Sequence, residues 1–231
     1  MTRTPWEITR EMFLSEQEVA SLLRHIRSKV NHSTGDQLAS TSLDRLLIET
    51  LLFSGLRNSE FCRLQIGDTI VATGRSAFTV GDEAAGEEQR VVHIPREVSV
   101  LVIDYVSTIR AQFLPADISS SDRQQPLVFH ERHRPFERTG LYRRVVRILT
   151  EAGLGDRASV QLLRHTYGYL AYSRTKGNLL FVQRQLGHAH PMVTAVYAQF
   201  YEENHDQLTE EIYGTAIDIQ SQSTKRRKKS H

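Results

Sequence analysis

The stretch QRQLGHAHPMVTAVYAQF, residues 183–200, packs a helix stop, a turn and a new helix start into one short segment. Gly187 suits the left-handed C-cap of a preceding helix, and Pro191 suits the first turn of the next. This spacing predicts helices near 178–186 and 191–198. His188 then projects from the turn, and Tyr197 follows nine residues later at the end of the second helix, with Thr194 three residues before it. Two readings compete. Tyr197 is an ordinary core aromatic, or it is an oxygen nucleophile with His188 beside it.

Working outward, two more segments bear on that choice. In VQLLRHTYGYLAY, residues 160–172, Arg164 and His165 interrupt a run that is otherwise largely apolar or aromatic, with Gln161 and Thr166 its uncharged polar residues. A charged pair on such a helix is costly to bury unless an anion receives it. SGLRNSEFCRL, residues 54–64, places Arg57 where one helix ends and another begins, with Glu60 three residues on. Taken singly, each feature has a structural explanation: a surface pair for Arg57 and Glu60, a solvated face for Arg164, packing for Tyr197. Taken together they suit one chemistry. Guanidinium forks match phosphate oxygens, a tyrosyl oxygen can split one displacement into two, and phosphoryl transfer needs chiefly positioning and charge stabilisation. Metal is not required if arginines supply the charge. HERH and GHAH pair His130 with His133 and His188 with His190, but neither pair has a carboxylate or thiolate at a metal-site spacing.

The rest of the chain reads as one mostly helical domain with a small early hairpin. LSEQEVASLLRHIRSK opens with Ser15 and Glu18 at capping-box spacing, TSLDRLLIETLLFSGLR is a helix from Thr41 ended by Gly55, and SEFCRLQ is a short third helix. SAFTVG and RVVHIP read as strands, REVSVLVIDYVSTIRAQF returns to helical spacing, and PLVF is a short strand. Helices follow near 139–152, 159–174 and 202–213. The boundaries expected are an N-terminal extension 1–12, a catalytic-type domain 13–214 and a disordered basic tail 215–231.

The 231 residues carry 29 Lys and Arg against 27 Asp and Glu. Five of the basic ones form KRRKK at 225–229, so the remainder is acidic, 24 against 27. Such blocks often meet nucleic acid. A second cluster, residues 130–147, holds Arg132, Arg134, Arg138, Arg143 and Arg144, candidates for phosphate-backbone contacts. The single cysteine, Cys62, excludes a disulfide framework. No apolar run reaches membrane-spanning length, and the charged N-terminus lacks a signal-peptide pattern. A cytoplasmic, nucleoid-associated protein without a membrane partner is expected.

SGLRNSEFCRL, LLRHTYGYLA and VQRQLGHAHPMVTAVYAQF, in this order and at these intervals, resemble the three boxes of the tyrosine recombinases, also called phage integrases. The match covers roughly residues 13–213. The resemblance implies a mostly α catalytic domain with a small antiparallel sheet, acting as a site-specific DNA recombinase. It implies Arg57 and Arg164 as the phosphate clamp, His188 as a donor to the phosphate, and Tyr197 as the nucleophile of a 3′-phosphotyrosyl intermediate. It further implies no cofactor, double-stranded DNA as partner, and a homo-oligomer, a tetramer on paired sites.

Two positions depart from the family pattern. Gln161 stands where a histidine or lysine is usual. Residues 30–175 contain no lysine, although the family's hairpin usually supplies one to protonate the leaving 5′-oxygen. The hairpin instead carries Asp82, Glu83, Glu87 and Glu88, with Arg75 and Arg90 as alternative cations. With the helical pattern beginning by about residue 14, the chain resembles minimal, catalytic-domain-only members. Its acidic segment EENHDQLTEEIYG resembles the one that relatives dock on an adjacent protomer. Two other readings stand beside the first: a recombinase-fold DNA-binding protein with impaired catalysis, regulatory or architectural, and a helical interaction domain without a nucleic-acid role.

Overall fold

The computed structural model describes residues 8–70, 76–81, 88–116, 118 and 122–201. The acidic segment after residue 201, the basic tail, Arg75 and the acids Asp82, Glu83 and Glu87 lie outside them. The described residues up to Ala198 belong to one compact unit.

Helix α1, Glu16–Asn31, begins at the expected capping box: Glu18 N donates to Ser15 Oγ (3.2 Å) and Ser15 N donates to Glu18 Oε2 (2.7 Å). Two amides that a helix start would leave orphaned are thereby satisfied. Its Val19, Leu22 and Ile26 face the core. Helix α2, Gly35–Ser54, is the hub. Leu43, Leu46, Leu47, Ile48, Leu51 and Leu52 are all at most 1% exposed. α2 meets α1 as well as three helices later in the chain, and its buried acids Asp44 and Glu49 are paired with arginines. It starts at Gly35 rather than at Thr41; residues 35–37 are exposed, so no apolar rhythm marks that start. Its end follows expectation, with Gly55 left-handed at φ 64°. Helix α3, Asn58–Arg63, follows directly.

Strands β1 (Thr69–Ile70), β2 (Ala77–Val80) and β3 (Arg90–His93) form an antiparallel sheet in that order. Phe78 opposes Val92 and Val80 opposes Arg90, so the alternation buries Phe78, Val80 and Val92 while Arg90 stands at the strand's start.

Helix α4, Arg96–Asp104, does not run on regularly as its spacing suggests. It passes into a π turn, Tyr105–Ile109, and a 3-10 turn, Arg110–Phe113. The wider turn brings both Tyr105 and Arg110 inside, at 2% and 1% exposure. There Arg110 donates from Nε to Leu127 O (3.1 Å) and from Nη2 to Pro126 O (2.7 Å) and lies over the Phe129 ring, while its buried Nη1 has no partner among the described residues. That explains a second departure. In PLVF only Phe129 enters a strand, with β4 (Phe129–His130) pairing β5 (Arg134–Pro135), while Pro126 makes an isolated antiparallel bridge with Gln65. The residues before it give carbonyls to Arg110, and Leu127 N bonds Leu64 O (2.7 Å).

Helices α5 (Arg138–Glu151), α6 (Val160–Arg174), α7 (Leu179–Leu186) and α8 (Pro191–Ala195) complete the fold. Both α5 and α6 pack on α2. α8 stops short of residue 198: Tyr197 N closes a turn onto Thr194 O (3.2 Å), which carries the aromatic ring inward to 1% exposure. Among the described residues no helix is long and apolar enough to cross a membrane.

Candidate active site

The site is built on helix C-termini. The last carbonyls of a helix have no partner within it and carry its negative pole. Here guanidinium groups take them. At the end of α7, Leu186 O accepts from Arg164 Nη2 (2.7 Å), Gly187 O accepts from Arg57 Nη2 (2.8 Å), and Gln185 O lies 3.4 Å from Arg90 Nε. At the end of α2, Gly55 O accepts from Arg164 Nη1 (2.5 Å). Sequence-distant arginines from the α2–α3 junction, β3 and α6 thus converge on the Gly187 turn. Gly187 holds φ 63°, and a Cβ added to it would lie 2.6 Å from Arg90 Cζ. Only glycine fits the backbone and the guanidinium together.

Glu60 ties two of these arginines to each other. Its Oε1 accepts from Arg57 Nη1 (2.7 Å) and Arg90 Nη1 (2.8 Å), and its Oε2 accepts from the Arg57 amide (2.7 Å) and Arg90 Nη2 (3.1 Å). Burial opposes ionisation of Glu60, but the bonds and charges of Arg90 and Arg57 outweigh it and hold the carboxyl down at about 2. A carboxyl depressed in the folded state stabilises fully above its unfolded pKa and loses that contribution as pH falls toward its folded one. The expected result is acid destabilisation on the order of 3 kcal/mol attributable to Glu60 between about pH 5 and pH 2. Urea unfolding as a function of pH would show it. A slope in that window unaltered by Glu60→Gln would contradict the assignment.

Arg164 is 5% exposed, and Arg57 has 44% of its side chain exposed. Burial, then the neighbouring Arg57 charge, lowers Arg164 to about 10, still protonated at neutral pH. His188 uses Nδ1 against Thr194 Oγ1 (2.9 Å). Burial and the Arg164 and Arg57 charges press it down to about 4, so the ring is neutral in the free protein. Arg57, Glu60, Arg90, Gly187 and His188 line one cleft of about 700 Å³.

Tyr197 is buried and is not among the residues lining this cleft. His165 Nδ1 is 3.1 Å from its Oη, and His165 Nε2 is 3.1 Å from Gln161 Nε2. With the Gln161 amide nitrogen toward the ring, Nε2 accepts and Nδ1–H donates to the phenol oxygen. Burial raises the phenol to about 12, and Arg164 pulls the other way. The ring rests on α6, where a Cβ at Gly168 would come 2.2 Å from Tyr197 Cζ. Gly168→Ala is therefore expected to destabilise the protein by about 1–3 kcal/mol through overpacking. Urea unfolding measures this; unchanged stability would mean that the ring does not rest there.

The structure therefore brings Arg57 and His188 into one cleft lining, ties the buried Arg164 to the same turn through Leu186 O, and keeps Tyr197 buried outside that lining. Gln161 is exposed on α6, away from the cleft lining, and reaches Tyr197 only through His165. Sequence reasoning passed over Gly168, whose signal was a glycine inside an aromatic helical run, and left Glu60 as a mere surface partner. Arg132, Arg134, Arg138 and Arg143 are exposed on the β4–β5 hairpin and α5, and Asn58 Nδ2 ties the Arg138 carbonyl to the start of α3 (2.9 Å). Arg144 differs from the other expected DNA contacts. It bonds Asp44 (2.6 Å), Glu131 (2.6 Å) and Ser40 (3.0 Å), with 10% of its side chain exposed. Its neighbours along α2 and the β4–β5 turn are acidic, so its charge is spent inside the fold. His130 Nδ1 accepts from Arg132 N (3.1 Å), and its ring meets Phe136 edge-on.

The chain is thus a mainly helical domain with arginines lining one cleft and a buried tyrosine outside that lining. The chain belongs to the phage integrase family, whose sequence profile matches residues 12–204. A tyrosine recombinase XerH of Campylobacter jejuni is 26% identical over 189 residues, covering 81% of this chain and 48% of that protein. A tyrosine recombinase XerC of Halalkalibacterium halodurans is 30% identical over 185 residues, covering 80% and 56%. The post-cleavage crystal structure of the XerH recombinase bound to palindromic difH substrate has a TM-score of 0.66 at 23% identity, over 87% of this chain and 52% of that one. The catalytic domain of bacteriophage HP1 integrase gives 0.53 at 19%, over 86% and 93%. These likenesses show the shared fold. The chain spans about half the length of the curated relatives it matches.

Proposed function

We propose that the protein is a site-specific DNA recombinase that cleaves and rejoins duplex DNA through a 3′-phosphotyrosyl intermediate. The observation that carries this is the convergence of Arg57 and Arg164 on the Leu186–Gly187 turn that leads into His188, with the Tyr197 hydroxyl bonded to His165, the neighbour of Arg164. In this reading Arg57 and Arg164 hold the non-bridging oxygens of the scissile phosphodiester. His188, kept neutral by burial and by the Arg164 and Arg57 charges, has Nδ1 against Thr194 and donates to the phosphate from Nε2–H. Tyr197 leaves its place on Gly168 and His165 and enters the cleft. The bond from its Oη to phosphorus forms as the bond to the 5′-oxygen breaks; the phenol proton passes to water, and the 5′-oxygen takes a proton from solvent. A second 5′-hydroxyl reverses the exchange. The exposed Arg132, Arg134, Arg138 and Arg143 supply sequence-independent phosphate contacts.

The test is direct. The full chain is incubated with a pool of random-sequence duplexes, denatured in detergent, and the DNA-linked peptide is mapped by mass spectrometry. A nucleotide on Tyr197 supports the proposal. Bound DNA with no covalent adduct would favour the second reading, a recombinase-fold DNA-binding protein with impaired chemistry. The absence of lysine from residues 30–175 and the glutamine at position 161 speak for that reading.

A further inference from the structure

Arg57 alone could not present a full charge to a phosphate, because the carboxylate of Glu60 lies 2.7 Å from its Nη1 and is only 4% exposed. A buried carboxylate so close neutralises one guanidinium. Arg90 reaches the same carboxylate from β3 with both Nη atoms and keeps 19% of its side chain open at the cleft. Counted together, Arg57, Arg90, Arg164 and Glu60 carry three positive charges and one negative. This group of four is thus doubly positive with Arg90 and singly positive without it; of the other charged residues lining the cleft, Arg63 and Arg184 are basic and Glu88 is acidic. A phosphodiester has one negative charge and gathers a second in the five-coordinate transition state when a phenolate attacks. Fixed charge placed where negative charge develops is the strongest electrostatic contribution a site can make.

We propose that Arg90 is a third member of the anion site, whose charge offsets Glu60 so that Arg57 and Arg164 act at full strength on a phosphate. It is also a positioning residue. Its guanidinium fills the space at Gly187 that a side chain would occupy and joins the sheet to the turn that carries His188. This rests on the reading of the cleft as a phosphodiester site.

The experiment uses inorganic phosphate as the probe and the arginine Nε–H signals of the nitrogen-15-labelled full chain as the readout. Wild type is expected to show saturable shifts at Arg57 and Arg164. Arg90→Gln should weaken phosphate binding about tenfold, the size of one unit charge lost at short range in a partly hydrated site. The double change Glu60→Gln with Arg90→Gln removes one charge of each sign and should recover most of that loss. A merely structural Arg90 predicts a double variant no better than the single one, and that outcome overturns the proposal, as does an Arg90→Gln protein that binds like wild type. If Arg90→Gln does not fold, Arg90→Lys decides: it keeps the charge and should bind within about threefold of wild type, and a tenfold loss overturns the proposal. No saturable phosphate shift in wild type also overturns it, while the covalent test of Tyr197 stands apart. Phosphate binding that depends on Arg90 in a protein forming no covalent complex would keep the anion site and remove the recombinase reading.

Discussion

Tyr197→Phe is expected to form no detergent-stable complex with DNA, and wild type is expected to form one slowly on ordinary DNA but quickly when sulfur replaces the bridging 5′-oxygen. The site explains both halves. The only atom lost in Tyr197→Phe is the oxygen that would bond to phosphorus, and the buried ring still fills its place on Gly168. Slow reaction of ordinary DNA follows from the leaving group. An alkoxide departs poorly without a proton, and none of the cations at the cleft is a good donor: Arg57, Arg63, Arg90 and Arg184 in its lining, like the buried Arg164 nearby, are guanidiniums, which hold their protons. His188 is engaged by Thr194 and neutral. A thiolate needs no such help, since a thiol ionises near pH 8.5 and water only near about 15.7. The acceleration by sulfur should reach about a hundredfold or more, the usual contribution of general acid catalysis. The measurement is covalent complex against time on paired nicked duplexes. Equal, fast rates would show that a residue outside the cleft donates the proton. No complex with either substrate, with DNA bound, would leave Tyr197 as a packing residue.

Arg164→Ala and Arg57→Ala should each slow cleavage by about two to three powers of ten, the loss typical of one preorganised charge-stabilising donor. Their effects on folding should differ. Arg164 is buried and occupies the carbonyls of Gly55 and Leu186. Its removal leaves two buried acceptors without partners and is expected to cost about 2–4 kcal/mol. Arg57 is half exposed, and water can replace it at Gly187 O. Its loss should cost no more than about 1 kcal/mol. Urea unfolding separates the two contributions, and single-turnover cleavage measures the other. Wild-type cleavage by both variants would remove the clamp from the mechanism. Equal stability losses would mean that Arg164 is not held as described.

Much of this was legible in the chain because local chemistry and tertiary demand agree at those places. The Ser15 and Glu18 capping box, the glycine stops at Gly55 and Gly187, and Pro191 at a helix start are each decided by a few neighbouring residues, and the structure keeps them all. Arg57, His188 and Tyr197 stand beside helix boundaries, whereas Arg164 stands out as a charge inside an otherwise largely apolar helix. The start of α2 at Gly35 was not visible, because an exposed first turn shows no apolar rhythm. Neither was the π turn after α4, which exists to bury Arg110 against carbonyls some sixteen residues away. Local density in residues 130–147 suggested five free arginines, yet Asp44 and Ser40, about a hundred residues from Arg144, take that one out of reach. The same holds at the site. Nothing near Glu60 in the chain announces Arg90, thirty residues on, or the three carbonyls of α7 that gather the guanidiniums. Charge balance depends on which residues meet, and only the packing of α2, α6, α7 and β3 decided that.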